Sequence, residues 1–286
     1  MLQPDPQNPA CPQTLVVTRD GENIAVQTWP LAAGMASRGV VLIVHGLGEH
    51  AGRYDALARA LNDWGFGVRG YDQYGHGRSS GPRGGLTSAT RLLDHLSDVV
   101  DDTRAQMPPS APLILLGHSL GGLVAAQCVA QKICTVSALV LSSPALDAGL
   151  TPVQKALLAV LPKIVPNLRI GNGLNPRFLC HDPAVVAAYQ ADPLVHDRIS
   201  ARLALFIAEG GPAVIAQAPH WRTPTLLLYA GADRLVNPAG SRAFAAAAPE
   251  KGVTAQCFDA LYHEIFNEPQ SGCVLLALKG WLDARF

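Results

Sequence analysis

The chain has 286 residues, 49% of them hydrophobic and 15% charged. That is ample material for a large buried core, and it excludes a mainly disordered chain. Its 22 basic and 22 acidic residues cancel, so no cationic excess is available to neutralise phosphates and nucleic acid is not an expected partner.

The segment 1–13 is polar and proline-rich, without the basic start and apolar stretch of a secretory signal. No run of about 18 apolar residues follows anywhere, so no membrane-spanning helix is expected. The six cysteines (Cys11, Cys128, Cys134, Cys180, Cys257 and Cys273) show neither CxxC nor metal-type spacing. They read as free thiols in a reducing compartment, and the expectation is a cytoplasmic protein, at most peripheral to a membrane.

Two extended segments, 14–18 and 24–29, flank Asp20-Gly21 and read as a hairpin. Continuous apolar runs at 39–44, 66–71, 113–116, 138–141, 225–229 and 253–258 suit strands buried on both faces. Helical periodicity separates them. In 53–64 the residues Leu57, Ala60, Leu61 and Trp64 share a face; in 89–106 Leu92, Leu93, Leu96, Val99 and Val100 oppose acidic residues. The segment 120–131 is small and apolar on most sides, as a helix packed deep on a sheet would be, and 238–248 and 271–282 complete the series. The alternation predicts an α/β fold, a mostly parallel central sheet with helices on both faces.

From 144 to 222 the alternation stops, leaving short helical patterns with prolines between them and no convincing strand. This stretch reads as a helical cap set between two parts of one core, 1–143 and 223–286; a second independent domain is the competing reading. Its segment 151–165 gathers Val153, Leu157, Leu158, Val160, Leu161, Ile164 and Val165. These describe either a helix packed over a pocket or an apolar entrance that touches membranes or micelles.

Gly117-His118-Ser119-Leu120-Gly121 fits the G-x-S-x-G nucleophile elbow and lies between a strand-like run and a helical one, as that turn requires. A serine hydroxyl needs a base, and the elbow is followed in chain order by an acid and then a histidine. His263 alone among nine histidines follows the last strand-like run. For the acid that orients it, Asp233 lies just after the run 225–229; Asp147 and Asp259 compete. The oxyanion of a tetrahedral intermediate needs two backbone N–H groups, expected from Leu120 and from Leu47 in the loop His45-Gly46-Leu47-Gly48. No nucleotide-binding glycine pattern follows that loop, so a nucleotide cofactor is not expected; with no metal-type cysteine spacing, a metal is not expected either.

Taken together, His45-Gly46-Leu47-Gly48-Glu49-His50 with Arg53-Tyr54, Asp72-Gln73-Tyr74-Gly75-His76-Gly77-Arg78-Ser79, the elbow with Gly122, and Asp192-Pro193-Leu194-Val195 resemble the monoacylglycerol lipases and lysophospholipase-like hydrolases of the α/β-hydrolase superfamily. The resemblance implies a serine hydrolase without cofactor, acting on monoacylglycerols or other small lipid and aryl esters. It gives Ser119, Asp233 and His263 as triad, Leu47 and Leu120 as oxyanion hole, and Asp72 and His76 as braces. Carbon–carbon bond hydrolases, thioesterases and cofactor-free peroxidases share such a triad, and a silent ligand-binding member of the fold is a further alternative.

Overall fold

The computed structural model describes residues 13–286; the reading of 1–12, Cys11 included, lies outside them. β1 (Gln13–Val17) and β2 (Asn23–Trp29) form the expected antiparallel hairpin. β3 (Gly39–Val44) is followed by a 3-10 turn, Ala51–Tyr54, and by α1 (Asp55–Asp63). Then come β4 (Phe66–Tyr71), α2 (Arg91–Ala105), β5 (Leu113–His118), α3 (Leu120–Ala130) and β6 (Ala138–Ser142).

After β6 the chain leaves the sheet. It runs through α4 (Pro152–Ile164), β7 (Arg169–Gly171), α5 (Pro183–Ala191), β8 (Arg198–Ser200) and α6 (Ala201–Gln217). It returns with β9 (Thr225–Ala230), α7 (Pro238–Ala247), β10 (Val253–Phe258) and α8 (Ser271–Asp283).

The main sheet has the order β1-β2-β4-β3-β5-β6-β9-β10, parallel from β4 to β10, with β2 antiparallel to β4. Successive side chains of a strand point to opposite faces, and both faces are buried here. Leu42, Val44, Leu113 and Leu115 enter one core with α2 and α3; Val41, Ile43, Ile114 and Leu116 enter the other with α1 and α8. That explains why these strands read as unbroken apolar runs.

Two expectations need correction. The stretch 144–222 does contain strands: β7 and β8 pair antiparallel in a separate sheet. Three residues each are too few to show an alternating pattern. Cys128 and Cys134, read as free thiols, form a disulfide. Lys132, with φ 57°, reverses the chain after α3 and brings the two Cα atoms to 5.6 Å, a bridging distance.

Of the two readings of 151–165, the helix exists but buries none of its residues. Leu158 and Leu161 are half-buried where α4 meets α6, while Val153, Leu157, Val160 and Ile164 face outward. Among the described residues no helix is long and apolar enough to cross a membrane.

Candidate active site

Strand β5 carries the chain to the carboxyl edge of the sheet, and Ser119 turns it into α3 with φ 53° and ψ −119°. Such a backbone at a residue with a side chain costs on the order of 1–3 kcal/mol and persists only where the surroundings impose it. Here they do. A Cβ on Gly121 would lie 2.0 Å from the Val44 carbonyl oxygen, and one on Gly117 would lie 2.5 Å from that of Gly121. Only glycine lets α3 approach β3 and β5 this closely. The helix then offers the electropositive end of its dipole beside the serine.

His263 lies in the loop after β10, 4% exposed. Its Nδ1–H donates to Asp233 Oδ2 at 2.6 Å. Asp233, in the loop after β9, also accepts the N–H groups of Leu235 and Val236 on Oδ1, at 2.8 and 3.0 Å. A carboxylate only accepts, so the neutral imidazole carries its proton on Nδ1 and keeps Nε2 basic.

Burial pulls the His263 pKa down, but the charge and hydrogen bond of Asp233 outweigh it and the net shift is upward. Burial pushes Asp233 up; its pairing with His263 and the two backbone N–H groups bring it below the ordinary carboxylate value. The competing acids are engaged elsewhere. Asp147 binds Gly149 N–H and the Asn237 amide, and Asp259 accepts from the Cys257 thiol.

Ser119 and His263 line one cavity of about 330 Å³, together with Leu47. Gly46 N–H is taken by Glu49 Oε1 at 2.6 Å, so Leu47 is the lining residue of this loop whose N–H a ligand could use. Leu120 follows the serine as the first residue of α3, where N–H groups lack helical partners. Asp72 and His76, expected as braces, do not line the cavity. Asp72 accepts the N–H groups of Ala51 and Arg78, at 2.9 and 2.8 Å, and His76 Nδ1 bonds Tyr74 O at 3.0 Å.

Three polar residues lining the cavity, Glu49, His118 and Glu264, and Arg53 bonded to two of them, went without a role in the sequence. Arg53 lies between two carboxylates: its Nη1 donates to Glu49 Oε2 and to Glu264 Oε1, and its Nη2 to Glu264 Oε2 at 2.8 Å. Burial raises the Glu49 pKa, but Arg53 and then His118 more than compensate and bring it to about 2. His118 bonds Ser142 Oγ through Nδ1 at 3.1 Å, and its ring centre lies 4.7 Å from that of His263. Burial first, then the charge of His263, push His118 down to about 4, so it stays neutral when His263 ionises. Buried charges that satisfy one another across 211 residues leave no local pattern; only the spacing of Glu49 and Arg53 on one turn hinted at a pair.

The opposite wall comes from the stretch between β6 and β9: Asn172, Leu174, Pro176, Leu179, Tyr189 and Val195. Asp192 Oδ2 and His50 Nε2, 2.8 Å apart, link that stretch to the loop after β3.

A family model described as serine aminopeptidase, S33, matches residues 35–270. A monoacylglycerol lipase of Mycolicibacterium smegmatis is 37% identical over 248 residues, covering 86% of this chain and 88% of that one. The phospholipase YtpA of Bacillus subtilis is 31% identical, covering 85% and 95%. The crystal structure of the Paleococcus ferrophilus monoacylglycerol lipase superposes with a TM-score of 0.82 at 36% identity, covering 92% of this chain and 99% of that one.

Proposed function

Because this chain belongs to the serine aminopeptidase S33 family of α/β-hydrolases and is a carboxylic ester hydrolase, we propose that it cleaves monoacylglycerols or similar small lipid esters through Ser119, His263 and Asp233. The observation that carries the reading is the Asp233–His263 bond at 2.6 Å, with the imidazole opening on the same cavity as a serine held at a strand-to-helix elbow.

In this mechanism His263 Nε2 takes the proton from Ser119 Oγ as the oxygen adds to the ester carbonyl. The N–H groups of Leu47 and Leu120 hold the resulting oxyanion. The imidazolium, stabilised by Asp233, gives its proton to the departing alcohol, and the acyl group stays on Ser119. A water molecule, deprotonated by the same nitrogen, then releases the carboxylic acid. The segment 144–222 acts as the cap over this centre, between core parts 1–143 and 223–286.

The lining suits an amphiphilic substrate. Leu174, Pro176, Leu179, Val195 and Leu235 offer apolar contact to an acyl chain, while Asn172, Gln190 and His118 offer hydrogen bonds to the hydroxyls of a small alcohol. A phospholipase is the second reading, favoured by the YtpA relative. The cavity argues against it for anionic head groups: Arg53, the cation beside this wall, already has both of its donor ends on Glu49 and Glu264. The outward apolar face of α4 adds contact with a lipid surface, so that substrate is met there rather than in bulk water.

The test is a panel of esters with matched acyl chains on the wild type and on Ser119→Ala. Turnover of the monoacylglycerol and of a short aryl ester is expected, faster than that of the matched lysophospholipid. S119A should lose turnover of all of them together with labelling by a fluorophosphonate. Retained turnover in S119A would sink the assignment of the nucleophile.

A further inference from the structure

One buried carboxylate near the site is unused by this chemistry. Glu268 lies in the loop between β10 and α8, and its side chain has no exposed surface. Its Oε1 accepts the N–H of Tyr262 at 2.6 Å and the Nδ1–H of His181 at 2.9 Å, and its Oε2 accepts the N–H of His181 at 3.1 Å. Tyr262 is joined by a peptide bond to His263. His181 belongs to the strip 178–181 of the stretch between β6 and β9.

Glu268 therefore ties the histidine loop to that strip, and the surrounding contacts follow the same line. The His181 ring stacks on the Tyr262 ring at 3.7 Å, and Glu264 N–H donates to Leu179 O at 2.7 Å. The Arg234 guanidinium, adjacent in sequence to Asp233, lies over the Phe178 ring at 4.8 Å and 5.7 Å from the centre of Tyr262. Among the described residues the side chain bonded to Glu268 is that of His181. This is a costly group to bury for packing alone, and it needs all three N–H donors.

We propose that Glu268 is a positioning residue: by fixing the Tyr262 N–H it sets the place of the His263 imidazole, and by fixing His181 it sets the wall that holds Leu179 against the cavity. The inference rests on His263 being the base, as proposed above. It divides the effect of Glu268 into two parts that kinetics can separate.

Glu268→Ala removes both, and its kcat for a soluble aryl ester should fall about tenfold, with fluorophosphonate labelling slowed in parallel. Glu268→Gln keeps an amide oxygen at the place of Oε1 for the Tyr262 N–H and the His181 Nδ1–H, but its NH2, at the place of Oε2, cannot accept the backbone N–H of His181. Its kcat should recover to within threefold of the wild type while KM rises several-fold as the Leu179 wall loosens. A purely structural role would move the two constants in no such order.

A folded E268A with kcat within threefold of the wild type overturns the proposal, as does an E268Q no faster than E268A. Should E268A fail to fold, Glu268→Asp carries the test: it keeps the charge but withdraws it by one methylene. A tenfold fall in its kcat supports the proposal, and wild-type kcat overturns it. Labelling of the wild type at Ser119 in the same series separates a failure of this inference from a failure of the triad.

Discussion

Asp233 makes three hydrogen bonds, and only one of them goes to His263. The two backbone N–H groups hold the carboxylate still, so that the imidazole is oriented by a fixed partner rather than by a mobile one. In Asp233→Asn the two backbone N–H groups claim the amide oxygen, the NH2 then faces Nδ1, and the wrong tautomer of His263 follows. A fall of about 10³- to 10⁴-fold in kcat is expected by analogy with serine proteases. The pH dependence has a definite sign. His263 must be neutral to act as base, and Asp233 raises its pKa, so the acidic limb of kcat/KM should lie above the ordinary histidine value of 6.5. In D233N the residual activity should show that limb displaced to lower pH, because burial then acts without the carboxylate. An unmoved limb would mean that the titrating base is another residue. Ser119 and the acid–base pair are legible in the chain because each follows a strand-like run at the edge where such groups collect. Glu49, Arg53, Glu264 and Glu268 are not, because their meaning lies in partners distant in sequence.

Among the elements, α4 sets a helix against its own environment. Val153, Leu157, Val160 and Ile164 follow a helical spacing and are between 50% and 70% exposed, which a helix in water has no reason to keep. The proposed contact with lipid would give that face a partner. Leu157→Asp with Ile164→Asp should leave thermal stability and hydrolysis of a soluble aryl ester almost unchanged, since neither side chain is buried. Co-flotation with phospholipid vesicles and turnover of emulsified monoacylglycerol should fall several-fold; equal flotation of the two proteins would refute the lipid contact. The sheet strands were readable because burial on both faces writes itself as uninterrupted apolar sequence. β7 and β8 were not, being too short for any period, and the apolar residues of α4 gave two meanings that the sequence alone leaves open.

The whole molecule buries several histidines, and this governs its stability toward acid. Burial, the largest influence in each case, pushes His118 and His196 down to about 4 and lowers His45 and His76. The unfolded chain binds protons at these positions from about pH 6.5 downward while the folded one does not, so stability is lost as pH falls through that window. Glu49, lowered from 4.5 to about 2, extends the loss below pH 4.5. His263, shifted upward, acts in the opposite direction but as a single group. The denaturant midpoint should therefore drop between pH 7 and pH 5 and again below pH 4.5; a midpoint unchanged down to pH 5 would contradict this balance.

Sequence by itself determined the succession of main-sheet strands and their helices, the elbow at Ser119 and the family, because these depend on local periodicity and on short motifs whose geometry is their own. It could not determine the disulfide between Cys128 and Cys134 or the carboxylate network around Arg53. Each of these is a distance between groups that the chain brings together only after the sheet has assembled, and spacing along the sequence carries no record of it. The cavity wall from the stretch between β6 and β9 is decided in the same way: its apolar residues are fixed by composition, but which of them meet the serine and which meet solvent depends on how the helices pack above the sheet.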